Sequence, residues 1–281
     1  MPYTYRFMKK IFAFVFSVLL LAGCADKATT LTILHTNDTH SQVEPNGNGR
    51  GGYARRMGLI AKAREQDPNL LLVDAGDFSQ GTPYFNFYHG RVEMDALNRM
   101  GYDAVTLGNH EFDYGLDTLA MILQQANFPI VCANYDVKGT PLERVVEPYT
   151  IVHKGGLKVG IFGLGVQPKG LIADKNFEPI VYNPPYPIAQ ELATMLRNEK
   201  KCDVVVCLSH LGTYPATEQD YCDVELAAET RDIDVIIGGH THKVYDDLRI
   251  RNIDGIEVPV VQMGKSGANV GKIVLTLRER E

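Results

Sequence analysis

The chain has 281 residues, 45% of them hydrophobic and 22% charged, with a formal net charge of −6 and no tryptophan. This is ordinary globular composition, long enough for one large α/β domain or two small ones around a substantial core. An acidic balance without a Lys/Arg cluster excludes nucleic acid as a partner, and the absence of any Cys-x-x-Cys pair excludes a zinc finger.

The first segment stands apart from the fold. Arg6, Lys9 and Lys10 precede the twelve-residue apolar run 11–22, and Gly23 and Cys24 follow. A basic start, a short apolar stretch and small residues describe a secretory signal, and the run falls short of the roughly 20 residues that span a bilayer. With cysteine after the cut, the segment resembles a bacterial lipoprotein signal. That implies a signal peptide over 1–23, lipidation at Cys24, and an exported protein anchored to a membrane in the periplasm or at the cell surface. Its removal takes three positive charges, leaving 25 Lys and Arg against 34 Asp and Glu.

Residues 24–30 read as a polar tether. An apolar strand over 31–34 then runs into His35-Thr36-Asn37-Asp38-Thr39-His40. Helical spacing over 53–66 closes at Pro68, and a second buried strand, 70–73, ends in Asp74-Ala75-Gly76-Asp77. Residues 84–100 read as a single helix with Met94, Leu97 and Met100 on one face. A third strand, 104–107, delivers Gly108-Asn109-His110-Glu111-Phe112-Asp113. A helix over 116–126 and a strand over 129–133 follow. Residues 150–153 and 158–162 form a hairpin about Gly155-Gly156.

A proline-rich connector, 182–187, leads to a helix over 188–199. The strand 203–208 ends in Ser209-His210-Leu211-Gly212, a helix covers 217–230, and the strand 235–237 ends in Gly238-Gly239-His240-Thr241-His242. Strands over 248–253, 258–263 and 272–277 finish the chain. Strand–helix alternation predicts a parallel sheet wrapped by helices, within one domain over 31–281. Cys132, Cys202, Cys207 and Cys222 leave two readings open: a bridge from Cys202 or Cys207 to Cys222, or buried free thiols.

Five strand-end loops therefore carry Asp38 and His40; Asp77; Asn109, His110 and Asp113; His210; and His240 and His242. Five of the eight histidines sit there, and loops at the carboxyl ends of parallel strands converge on one crevice. Asp38 and His40 are two residues apart in what reads as extended chain, so both side chains leave one face; His240 and His242 repeat the spacing. Such nitrogen and oxygen donors exceed one ion's needs and point to two divalent ions. The donor types suit zinc, manganese, iron or cobalt. His110 is not required as a ligand. It is placed to stabilise developing charge or to protonate a leaving oxygen, with Asp113 fixing its tautomer.

Asp-x-His, Gly-Asp, Gly-Asn-His-Glu, a Ser-His after a strand and Gly-Gly-His-x-His, in this order, resemble the calcineurin-like metallophosphoesterases. Within them, residues 34–40 and 109–115 look like the 5′-nucleotidase branch, and the resemblance covers 31–277. It implies a four-layer α-β-β-α sandwich of mixed sheets flanked by helices. It further implies one ion held by Asp38, His40, Asp77 and His242 and a second by Asp77, Asn109, His210 and His240, with Asp77 bridging and His110–Asp113 as the catalytic dyad. His242 stands where some nucleotidases carry glutamine.

The implied activity is dinuclear-metal hydrolysis of phosphate monoesters, above all nucleoside 5′-monophosphates or related nucleotides. The nucleotidases add a C-terminal domain that stacks the base between aromatic rings, and the sequence to Glu281 is expected to carry none. The expected alternatives are a separate chain that supplies that nucleotide-binding domain, or a broad-specificity phosphatase or phosphodiesterase acting alone. A non-catalytic metal- or phosphate-ester-binding protein is the reading of another class; it has no need of His110 and Asp113. A sulfur-ester hydrolase is the runner-up enzyme, and no residue selects it. Of the remaining polar residues, Asp74 reads as a hydrogen-bond partner behind the ligands, Glu111 as supporting, His35 as structural, and His89 and His153 as surface histidines. Lys265-Ser266 lacks the spacing of a P-loop.

Overall fold

A computed structural model describes residues 29–277 of the chain. The signal segment and Cys24 lie outside the described residues, and the last two tether residues, Thr29 and Thr30, already belong to the first strand. The chain runs through β1 (Thr29–Thr36), α1 (Tyr53–Gln66), β2 (Leu71–Asp74), α2 (Pro83–Tyr88), α3 (Arg91–Met100), β3 (Ala104–Thr106), α4 (Gly115–Leu123) and β4 (Ile130–Val131). It continues with β5 (Tyr135–Asp136), β6 (Val146–Glu147), β7 (Tyr149–Lys154), β8 (Leu157–Leu164), α5 (Asp174–Phe177) and β9 (Val181–Tyr182). Last come α6 (Pro185–Asn198), β10 (Val204–Ser209), α7 (Asp223–Glu229), β11 (Val235–Gly238), β12 (Val244–Arg251), β13 (Glu257–Met263) and β14 (Gly271–Leu277).

Two six-stranded sheets result, in the orders β14-β1-β2-β3-β4-β6 and β12-β13-β11-β10-β8-β7, with β5 and β9 as a small ribbon. The inner strands are parallel, while β14 on β1, β12 on β13 and β7 on β8 are antiparallel edges. This is the expected sandwich of two mixed sheets flanked by helices.

The layers follow from alternation along strands that are apolar on both faces. Leu31, Ile33, Leu71 and Val73 of the first sheet pack against Val204, Val206, Val235 and Ile237 of the second, forming the central core. Their neighbours Leu34 and Leu72 point the other way, to Ile60, Met94, Leu97 and Met100 of the helical layer. On the far side, Val205, Cys207 and Ile236 meet Ala189, Ala193, Leu196 and Leu226 of α6 and α7. Gly163, on the inner face of β8, lets the sheets touch: its carbonyl accepts from Ala133 N–H at 2.8 Å. A β-carbon there would fall inside the contact shell of the Val131 carbonyl and the Thr106 hydroxyl. Gly163→Ala is accordingly expected to lower stability by about 1–3 kcal/mol through overpacking, read as a lower urea midpoint at unchanged slope.

Several boundaries differ from the sequence reading, each for a local reason. The single helix expected over 84–100 is two, because His89 (φ 54°) and Gly90 (φ 101°) are both left-handed. The helix expected over 217–230 shrinks to Asp223–Glu229. Ahead of it, Thr217 N–H turns back to the Asp220 carboxylate, and Cys222 N–H is taken by the Tyr186 hydroxyl. The proline-rich connector opens α6 instead of preceding it, with proline at the first helical positions, where a missing N–H costs nothing. The Gly155-Gly156 hairpin forms as expected, both glycines at positive φ. All four cysteines of the described residues are buried and free, so the bridge to Cys222 is not formed.

Candidate active site

The five loops do converge, all at the carboxyl ends of β1, β2, β3, β10 and β11. The loops after β1 and β2 zip together through Asp38 N–H to Gly76 O (2.9 Å), His40 N–H to Asp77 O (3.0 Å) and Ser41 N–H to Phe78 O (2.9 Å). The side-chain directions come from a different source than expected. Asp38 (φ 48°) and His40 (φ 45°) are left-handed turn residues, as are Asp77 (55°), His240 (72°) and His242 (57°). Strand alternation therefore does not aim them. Backbone in a region that non-glycine residues rarely occupy does so, and such conformations persist only where surrounding bonds hold them.

Those bonds are present. The buried Glu111 carboxylate accepts N–H groups from Gly108 (2.7 Å), Asp77 (2.9 Å) and Ser79 (3.0 Å), joining two ligand loops. Ser41 donates to the buried Glu93. Asn37 receives Met263 N–H (2.8 Å) and donates to Gly264 O (2.8 Å), while Ser266 N–H reaches Asp38 O at 2.7 Å. Gln262 is fully buried and its carboxamide meets Gly239 O (2.6 Å), Thr213 (3.1 Å), Thr241 (3.0 Å) and Lys243 N–H (2.8 Å). An isolated glutamine inside the apolar run Val260-Val261-Gln262-Met263 was the available signal for it. Glu93 and Asn37 gave none, because their partners lie far along the chain. Glu111→Ala would orphan three buried N–H groups, so a loss of at least about 3 kcal/mol is expected, measured by guanidinium denaturation.

Two donor groups face each other across Asp77. Asp38, His40, Asp77 and His242 form one, and Asp77, His210 and His240 the other, each with ligand atoms within 4.8 Å of one another. Ligands about 2.1 Å from one ion stand roughly 3.0–3.4 Å apart. The spacings match: His40 Nε2 to His242 Nε2 is 2.9 Å, His242 Nε2 to Asp38 Oδ1 3.4 Å, His210 Nε2 to Asp77 Oδ2 3.1 Å, and His240 Nδ1 to Asn109 Oδ1 3.1 Å. Tautomers agree as well. His210 Nδ1–H donates to Ala75 O at 2.7 Å and His40 Nδ1–H to Ser79 O at 3.3 Å, so in both rings Nε2 is the nitrogen turned inward, available as a ligand once it carries no proton. Buried His210 Nε2 has no aligned hydrogen bond. These residues fit a pair of metal ions.

The electrostatics point the same way. Burial pushes the Asp77 carboxyl up, but the charge of the adjacent His210 outweighs it and holds Asp77 well below the usual carboxylate range. Burial lowers His40, and burial with the nearby His210 charge takes His240 down to about 4, so both are neutral donors at neutral pH. His110 is raised by its hydrogen bond to Asp113, against partial burial; Nδ1 lies 3.2 Å from Asp113 Oδ2. Burial, with Asp77 adding to it, lifts Glu111 to about 7.

The site grades from a buried floor to an open rim. Asp38 and His210 side chains are 0% exposed, whereas His110, His242 and Asp113 are 30–36% exposed. The His110 ring stands 5.5 Å from that of His40, and its backbone N–H donates to Asp77 Oδ1 at 2.9 Å. All seven expected ligands and the His110–Asp113 pair thus share one crevice. Asp74 lies behind them, accepting Gly76 N–H at 2.9 Å. His35 is buried against Gly271, and His89 and His153 are exposed. A cavity of about 400 Å³ between β14 and β13 lies near Asp203 and Asp234, at the amino ends of the strands and away from this chemistry.

Similarity to known proteins accords with this arrangement. The chain is 34% identical over 275 residues to a snake venom 5′-nucleotidase of Gloydius brevicauda, covering 86% of this chain and 44% of that protein. It is 34% identical over 242 residues to a 5′-nucleotidase of Vibrio cholerae, covering 79% and 44%. Among solved structures, a 5′-nucleotidase precursor of Thermus thermophilus superposes with a TM-score of 0.80 at 34% identity, over 89% of this chain and 52% of that one. The chain spans about half the length of these relatives or less. The sequence pattern of the calcineurin-like phosphoesterases matches residues 31–244, the stretch that holds all five strand-end loops, and the chain belongs to that family.

Proposed function

We propose that the protein is a metal-dependent hydrolase of phosphate monoesters, acting on nucleoside 5′-monophosphates or closely related nucleotides outside the cytoplasm. The observation that carries this reading is the sharing of Asp77 between two donor clusters, with His110 and Asp113 beside them. Asp38, His40, Asp77 and His242 would hold one ion and Asp77, Asn109, His210 and His240 the other. When bound, two divalent ions make a water nucleophilic at neutral pH and neutralise phosphoryl oxygens in an in-line displacement.

The chain's own residues supply the rest. His110 presents its imidazole at the rim, where it donates to the phosphoryl group or protonates the departing oxygen. Asp113 accepts the Nδ1 proton and raises the ring's affinity for a second proton on Nε2, which is the proton donated. Glu111 and Gln262 keep the loops in register and exclude movement of the donors. The nucleotide part of the reading is supported by the names of the relatives. Export and a lipid anchor at Cys24 are supported by the basic and apolar residues ahead of that cysteine.

Phosphate release by the full chain tests this, with added manganese, zinc or cobalt, on adenosine 5′-monophosphate, an aryl phosphate and a 2′,3′-cyclic nucleotide. Release from the monophosphate is expected. No release above an Asp77→Ala control with any metal would overturn the reading. Equal release from aryl phosphate and nucleotide would remove the nucleotide preference alone and leave a broad phosphatase. Adding a candidate second chain shows whether a nucleotide-binding domain acts in trans.

A further inference from the structure

Beside the donors lies a second cavity, of about 280 Å³, that includes His240 and Thr241 in its wall. Small-molecule sites run from about 300 to 1,000 Å³, so the space suits one small ring system and no polymer. Its floor is apolar, with Val166 and Leu211 buried at 7% and 4% exposure. Leu171 and Tyr214 stand above the floor at 47% exposure each, offering apolar faces that no other side chain covers fully.

The rings are held by their neighbours. Tyr214 meets Tyr245 edge-on at 5.8 Å and Tyr221 meets Tyr186 at 4.9 Å, so each ring has an aromatic neighbour that orients it before a ligand enters. The polar groups of the wall are mixed. Gln167 carries both a donor and an acceptor, and Lys169 and Asp220 bring opposite charges. That balance disfavours a second phosphate and favours a neutral, flat group with hydrogen-bonding edges.

The cavity's place completes the case. His240, which belongs to the second donor cluster, also lines this cavity, so an ester whose phosphoryl group is seated over the donors lies next to this space. We propose that the cavity beside His240 receives the purine or pyrimidine ring of the substrate's leaving group, against Tyr214 and Leu171, with Gln167 reading the ring edge. The proposal rests on the phosphate-ester reading of the adjacent site. It means that this chain itself distinguishes nucleosides from ringless alcohols.

Calorimetric titration with adenosine tests it without turnover, on the metal-loaded chain and again after chelation. Saturable binding is expected in both, about tenfold weaker in Tyr214→Ala, the scale of losing a base–aromatic stack, and kept in Tyr214→Phe. Gln167→Ala should weaken adenosine as well, while ribose alone should not bind. In assays, Tyr214→Ala should lower about tenfold the ratio of kcat/KM for adenosine 5′-monophosphate to that for glycerol 2-phosphate. No saturable adenosine binding to the wild type, or equal binding by Tyr214→Ala, would overturn the proposal. Adenosine binding without cleavage of any ester keeps the cavity's role and overturns the hydrolase; cleavage without adenosine binding does the reverse.

Discussion

An Asp77→Ala variant is expected to lose at least about a thousandfold in kcat on any phosphate ester that the wild type cleaves, roughly 4 kcal/mol of barrier. Asp77 belongs to both donor clusters, so its removal takes a ligand from each at once. It also frees the His110 N–H that now donates to Oδ1 at 2.9 Å, loosening the reacting imidazole. The accompanying measurement is metal content by elemental analysis, expected to fall from two ions per chain to one or fewer. Asp77→Asn separates two contributions, since the amide keeps an oxygen for His110 N–H but lacks the charge. Near-complete loss in both variants assigns the effect to charge. Recovery in Asp77→Asn assigns it to the tether. Wild-type kcat and metal content in either would remove Asp77 as a shared ligand.

His110→Ala should behave differently. Its kcat is expected to fall by about 10²–10⁴, the range for a positioned acid–base group, while metal content stays at the wild-type value. The imidazole is outside both donor clusters, and the backbone N–H that steadies Asp77 survives the substitution. Asp113→Asn keeps the shape of the pair but weakens its hold on the imidazole proton, so a smaller fall, about tenfold or more, is expected with KM little changed. Loss of metal from His110→Ala would make His110 a ligand. A kcat within twofold of wild type would deny it any part in the reaction.

What could be read from the sequence divides along a physical line. Residue types at strand ends are local, so Asp38, Asp77, Asn109, His210 and His240 could be placed in one crevice from strand–loop punctuation alone. The apolar face of α3 was equally plain, with Met94, Leu97 and Met100 all buried. How the ligands are aimed was not legible. An extended Asp-x-His explains two side chains on one face, but the backbone is left-handed at both residues. Nothing in Asp38-Thr39-His40 states that Ser266 and Gly76 hold it so. The break at His89-Gly90 needed weight on one glycine within a strong helical pattern. Glu93, Asn37 and Gln262 act through partners distant in sequence, and only the packed fold brings those together.

The pairing of β1 with β14 has a consequence for when the protein becomes competent. Thr29 lies opposite Leu277 and His35 opposite Gly271, so the first strand of the fold finds one of its two neighbours only when the last strand has been made. The segment just before β14 also donates the bonds that hold Asn37 and Asp38. Contacts between such remote parts of a chain form slowly and late. The crevice therefore depends on pairing across the full stretch from β1 to β14. That ordering keeps the donors apart, and idle, until the last of the described strands is in place.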